Sequence, residues 1–229
     1  MEKTIKPIGY IHTEFKDKFG IPRQSGRAPS VKGTVLLNKE YGAEAVRGLE
    51  EFSHIWLIFG FDRTNYTGAQ MVRPPRLGGN KRVGVFASRS PNRPNGLGLS
   101  CVKIENIENT ERGVEITVYG VDIADGSPIY DIKPYNPADR IENAKSGFAD
   151  KAKEYKLKVE FKNGTEKGLP NDVLAAVKEC LEDDPRPSYI DDTDRVYGMT
   201  YGGYNVKFTV SGDLLTVTEI INTALKSNS

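Results

Sequence analysis

Residues 72–100 read Val-Arg-Pro-Pro-Arg-Leu-Gly-Gly-Asn-Lys-Arg-Val-Gly-Val-Phe-Ala-Ser-Arg-Ser-Pro-Asn-Arg-Pro-Asn-Gly-Leu-Gly-Leu-Ser, a mixture that a hydrophobic core does not accept. Prolines fix the backbone, glycines let a ligand approach it closely, and Arg and Asn present forked donors suited to carboxylates, phosphates and base edges. Composition alone allows two readings: binding loops flanking a short strand at 83–87, or solvated loops stiffened by proline. Charge favours the first. From residue 63 to residue 104 there are eight basic side chains (Arg63, Arg73, Arg76, Lys81, Arg82, Arg89, Arg93, Lys103) and no acid, although the net charge of the whole chain is only +1. One surface should be positive on a nearly neutral molecule.

Two further segments carry candidate chemistry. Arg23 and Gln24 stand in the polar loop Ile21-Pro-Arg-Gln-Ser-Gly-Arg. Asp125-Gly-Ser-Pro-Ile-Tyr-Asp-Ile-Lys-Pro-Tyr is a turn leading into a strand, and period-two spacing puts Asp131 and Lys133 on one face. They form either a surface ion pair or an acid held beside a site by a lysine.

Other chemistries find little support. His12 and His54 lack a Ser, Cys or Asp at motif spacing, and His54 reads as a hydrogen-bonded core histidine. Cys101 and Cys180 have neither CxxC spacing nor a His-rich partner tract, so no disulfide framework and no metal site is signalled. Neither a GxGxxG fingerprint nor a Walker loop is present. With no leader-like apolar start and no run of about 18 apolar residues, the expected location is the cytoplasm, with no membrane contact.

Within the 229 residues, the elements that must position these side chains are mainly strands. Candidates fall at 5–12, 33–37, 54–61, 82–87, 101–107, 114–121 and 127–132, with one short helix near 43–49. The continuous apolar run His54-Ile-Trp-Leu-Ile-Phe-Gly-Phe predicts a strand buried on both faces, and Val114-Glu-Ile-Thr-Val-Tyr predicts one with a wet face. Parallel crossovers need helical segments of about a dozen residues, which are missing, so an antiparallel β-barrel over residues 1–137 is the simpler architecture. Residues 134–153 look like a connector. Beyond it, a strand at 156–161, a helix capped by Asn171, and a hairpin of strands 204–210 and 214–220 predict a small α+β domain over residues 138–229. These readings yield an anion- and amide-reading cleft but no reaction.

The motifs supply one. Pro22-Arg-Gln, Val46-Arg-Gly-Leu-Glu-Glu-Phe-Ser-His-Ile-Trp, the 72–80 segment, Gly84-Val-Phe-Ala-Ser-Arg-Ser-Pro-Asn-Arg-Pro-Asn, the Asp125 segment and Asp184-Pro-Arg-Pro-Ser-Tyr occur in this order. Together they resemble the TsaA-like, TrmO-type family of S-adenosylmethionine-dependent tRNA methyltransferases. The resemblance implies a non-Rossmann β-barrel and a homodimer with the cofactor near its interface. It also implies methylation of N6 of the threonylcarbamoylated adenosine (t6A) at tRNA position 37, giving m6t6A. The family's cofactor contacts fall on Pro22, Arg23, Gln24, Phe61, Asp62, Arg89, Leu99, Asp125, Gly126, Ser127 and Pro128. A sulfonium repels arginine, so Arg23 and Arg89 are expected at the cofactor's carboxylate or ribose. Arg73, Arg76, Lys81, Arg82 and Arg93 are expected at RNA phosphates. Asp131 or Tyr189 would assist the proton leaving N6, Tyr189 stacking on the base in the alternative. Two other readings stay open: a non-catalytic module binding S-adenosylmethionine or RNA for regulation, and an enzyme acting on another RNA or a small metabolite.

Overall fold

Alternation of inward and outward side chains governs the strand pairing in the computed structural model, which describes residues 2–74, 81–149, 155–186 and 192–223. Six strands close on themselves in the order β1 (Gly9–Thr13), β2 (Lys32–Leu37), β7 (Gly113–Tyr119), β6 (Leu97–Thr110), β3 (His54–Gly60) and β8 (Pro128–Pro134). All neighbours are antiparallel, so the expected barrel forms, and closure leaves the barrel itself without an edge strand among the described residues. Ile11, Val35, Ile55, Leu57, Val102, Ile116, Val118 and Ile129 fill its interior with almost no exposure. Burying a side chain of this size stabilises the fold by about 1.5–3 kcal/mol.

Three local expectations change. On β3 only Ile55, Leu57, Phe59 and Gly60 are buried, whereas Trp56 and Ile58 lie half-exposed on the outer wall. Its continuous apolar run therefore coats two faces, only one of which is core. The strand expected at 82–87 shortens to β5 (Val83–Gly84), paired with β4 (Met71–Val72). There a 3-10 turn over Val85–Ala87 takes over, because both the amide and the hydroxyl of Ser88 donate to the Val85 carbonyl. The helix near 43–49 is two 3-10 turns, Ala43–Val46 and Leu49–Glu51, separated where Gly48 adopts φ +85°.

Gly98 shows how tightly the barrel is filled. A Cβ there would fall 2.3 Å from the Phe59 ring, which is itself packed edge-on to Phe61 at 5.0 Å. Gly98→Ala is expected to cost about 1–3 kcal/mol through overpacking. A urea midpoint unchanged from the parent protein would contradict this.

The C-terminal strands form a sheet in the order β10 (Tyr197–Tyr201), β11 (Tyr204–Ser211), β12 (Leu214–Asn222), β9 (Lys158–Phe161), with β9 parallel to β12. Helix α1 (Asn171–Glu182) turns Ala176, Val177, Cys180 and Leu181 inward. Asn171 is its first helical residue rather than its cap, a position taken by Pro170. The helix stops where Asp184 enters the left-handed region at φ +52°, just before Pro185. β10 was not expected from the sequence. Its signal was the Gly202-Gly203 turn between tyrosine-flanked alternating segments.

The connection 14–31, between β1 and β2, packs on this sheet. Phe15 meets Tyr201 edge-on at 5.1 Å, Phe19 stacks on Tyr197 and Phe208 at 6.4 Å, and Gly20 sits so close to Met199 that a Cβ would come within 2.3 Å of it. Buried apolar residues of the barrel, this connection and the C-terminal sheet make one continuous cluster.

Candidate cofactor and RNA site

Antiparallel closure places the ends of β1, β3 and β7 and the starts of β2, β6 and β8 on one rim of the barrel. Three connections leave from that rim: 14–31, 61–96 and 120–127. The first holds Pro22, Arg23 and Gln24. The second holds Phe61, Asp62, Arg73, Lys81, Arg82, Arg89 and Arg93, and the third holds Asp125, Gly126 and Ser127, with Pro128 opening β8. Arg76 and Tyr189 lie outside the described residues.

Arg63 joins the three connections. Its guanidinium donates to the Lys16 carbonyl at 2.9 Å and to the Asp125 carbonyl. The Asp125 carboxylate in turn accepts from Lys16 Nζ at 2.7 Å and from the Thr13 amide at 3.0 Å. Burial raises this carboxyl, but those two bonds and the Lys16 and His12 charges outweigh it and hold the group below its ordinary value.

Within the 61–96 connection, against Gly60 of β3 and Tyr130 of β8, opens a hollow of about 440 Å³, lined also by Phe61, Asp62, Tyr66, Arg93 and Asn95. Its floor needs Gly60, since a Cβ there would come within 2.9 Å of Tyr130 and 3.0 Å of Pro128. A second hollow, of about 430 Å³, takes in Gly126 together with Tyr10, His12, Asn38 and Arg112. Leu99 stands on neither lining. It is 48% exposed on the outer wall beside Ile58, with Asp131 next in that row across β6, β3 and β8.

Asp131 pairs with Lys133 at 3.0 Å and accepts from the Ile132 amide at 2.9 Å. Two expected ligand-facing arginines are engaged within the fold. Arg23 donates to the carbonyls of Asp184 at 3.1 Å and Arg186 at 2.7 Å. Arg93 donates to the carbonyls of Ser90 at 2.9 Å, Ser88 at 2.6 Å and Val85 at 3.4 Å, which shapes the loop beside the hollow. Arg89, by contrast, is exposed and makes no hydrogen bond among the described residues, as are Arg73, Lys81 and Arg82 on the same acid-free connection. His54 is half-buried with Nδ1 2.9 Å from Ser53 Oγ. Burial pushes both cysteine thiols up, so neither is poised as a thiolate nucleophile.

Reasoning from the sequence missed two acids. Asp183 is 3% exposed at the end of α1, where it accepts from Arg27 Nε and from the Arg23 amide at 3.1 Å. Beside it Asp184 accepts from both Arg186 and Tyr155. The Asp-Asp-Pro-Arg segment therefore clamps the Pro22-Arg-Gln loop. The second acid, Asp122, takes a 2.5 Å bond from Ser100 Oγ, and burial raises its carboxyl to about 6 against that bond, a Ser25 backbone bond and the pull of Arg89. Its signal was an acid inside the apolar run Tyr119-Gly-Val-Asp-Ile-Ala.

Comparison with known proteins agrees with this architecture. The family model for the tRNA-methyltransferase O N-terminal domain matches residues 10–139, and that for the TrmO C-terminal domain matches residues 154–223. An Escherichia coli (strain K12) protein named tRNA (adenine(37)-N6)-methyltransferase is 39% identical over 215 residues, covering 89% of this chain and 92% of its own length. A protein of the same name from Eikenella corrodens is 41% identical over 173 residues, covering 74% and 97%. The crystal structure of TrmO from Pseudomonas aeruginosa superposes with a TM-score of 0.78 at 33% identity, over 96% of this chain and 100% of that one. With both halves matched in order and the barrel shared with a solved relative, the chain belongs to the tRNA-methyltransferase O (TrmO) family of methyltransferases.

Proposed function

We propose that the protein transfers a methyl group from S-adenosylmethionine to N6 of t6A at position 37 of tRNA, producing m6t6A. The observation that carries this reading is the gathering of three separate connections, each bearing family motifs, on one rim of the barrel. S-adenosylmethionine supplies, when bound, an electrophilic methyl on a positively charged sulfur.

The residues at the rim fit such a ligand. A hollow of about 440 Å³ falls in the usual size range of small-molecule sites. Its aromatic faces, Phe61, Tyr66 and Tyr130, suit a cation, and Asp62 offers acceptors to ribose hydroxyls or an amino group. Arg89 extends a forked donor toward the carboxylate. Pro22, Gln24, Leu99 and the Asp125-Gly-Ser-Pro turn are assigned to the cofactor on their family motifs rather than on the lining of this hollow, and Arg23 acts by fixing the Pro22-Arg-Gln loop from beneath.

Arg73, Lys81 and Arg82 form the tRNA's footing, with Arg76 completing the group and Arg93 supporting it. The reacting nitrogen must lose a proton, and Asp131, held by Lys133, is the assigned acceptor, with Tyr189 assigned to the base. Trp56, Ile58 and Leu99 expose apolar surface on the outer barrel wall, which suits a homodimer. A cytoplasmic location goes with this reading, because the substrate is tRNA.

The test is transfer of label from methyl-tritiated S-adenosylmethionine to tRNA prepared with and without t6A. Incorporation confined to the t6A-bearing tRNA is expected. Cofactor binding without transfer would instead identify a regulatory module. Transfer insensitive to t6A would move the substrate elsewhere.

A further inference from the structure

Asp122 stands where the three rim connections meet. The groups facing it are Ser100 from β6, whose Oγ donates at 2.5 Å, and the Ser25 backbone from the β1–β2 connection, while the charge of Arg89 on the β3–β6 connection acts on it from farther off. Ser25 is fixed in its turn, because its Oγ accepts from the Cys101 amide at 3.2 Å. Ser100 is 1% exposed and Asp122 half-buried, so this junction runs from under the rim to its surface.

We propose that Asp122 is a positioning residue for the cofactor: bonded to Ser100 next to the Cys101–Ser25 bond, its carboxylate ties the Pro22-Arg-Gln segment to β6, and its charge acts on Arg89 at longer range. This rests on the reading of the rim as the S-adenosylmethionine site. A purely structural junction would be served by a neutral amide, whereas a half-buried carboxylate set against the buried Ser100 costs stability unless its charge is used. Burial raises the Asp122 carboxyl to about 6, so near neutral pH the group is mostly ionised and attracts Arg89. Because the folded value stands above the unfolded one of about 3.9, this acid favours folding least above pH of about 6, and its contribution grows as pH falls toward 4.

Asp122→Asn keeps the shape and the acceptor for Ser100 while removing the charge. At about pH 7.5 the dissociation constant for S-adenosylmethionine, measured by calorimetric titration, should rise about tenfold or more, while the melting temperature stays equal or increases. Wild-type affinity should weaken toward that of the variant as pH falls through about 6, and the variant should show no such step. In cofactor-free protein, hydrogen exchange should quicken at 23–25 and 88–93. Ser100→Ala, which keeps the acid, should move the same readouts by a smaller factor.

Wild-type affinity with unaltered exchange in Asp122→Asn would overturn the proposal, as would an affinity loss that merely tracks a fall in melting temperature. Should the wild type bind no S-adenosylmethionine, the functional reading fails. The exchange comparison, made without cofactor, still decides whether Asp122 holds the loops.

Discussion

Replacing Asp183 with alanine is expected to lower the stability of the protein by about 3–5 kcal/mol, the usual cost of removing one partner from a buried ion pair. The carboxylate is 3% exposed and the Arg27 side chain 17%, so the cation would lose the Asp183 charge where water replaces it only in part. The Arg23 amide would lose its acceptor in the same stroke. For a domain with a total stability of about 5–15 kcal/mol, that is a large share. Urea unfolding should show a lowered midpoint with an unchanged slope, and Asp183→Asn, which keeps an acceptor for the Arg23 amide, should fall between the two. The site should feel the change as well, because the C-terminal lobe grips the Pro22-Arg-Gln loop through this residue. S-adenosylmethionine affinity should drop under conditions where the variant is still folded. A stability loss below about 1 kcal/mol would show that the clamp contributes no more than a surface pair.

Replacing Arg89 with alanine should weaken S-adenosylmethionine binding about 10- to 100-fold, the loss of a hydrogen-bonded charge worth about 1.5–3 kcal/mol. Arg89 is exposed and makes no hydrogen bond among the described residues, so stability should change by no more than about 0.5 kcal/mol. Arg89→Lys should recover only part of the affinity, because an ammonium does not reproduce the planar fork. Calorimetric titration gives the affinity and single-turnover transfer gives the activity. In an enzyme the two fall together when cofactor is limiting, whereas a binding module has no activity to lose. Unaltered affinity would remove Arg89 from the cofactor site.

The barrel was legible because its strands alternate: inward positions such as Val114, Ile116 and Val118 are apolar and their neighbours are not. The outer wall was not, since nothing in the run from His54 to Phe61 distinguishes the inward Leu57 from the half-exposed Ile58. Binding loops announced themselves through glycine, proline and arginine, yet the same residue types serve as internal ties. Arg23 and Arg93 satisfy backbone carbonyls in their own surroundings, while Arg89 does not, and that division depends on long-range placement. Asp183 and Asp122 were hidden for the same reason. Asp183 looks like a helix-ending acid until α1 brings it against Arg27, and Asp122 becomes meaningful only when closure of the barrel puts Ser100 beside it.

The most direct test is nucleoside mass analysis of t6A-bearing tRNA after incubation with the protein and S-adenosylmethionine. Conversion of t6A to a nucleoside heavier by one methyl-for-hydrogen exchange, with the methyl on N6, is the predicted result. Unchanged t6A from folded, cofactor-binding protein, or a methyl on any other nucleoside, would contradict it.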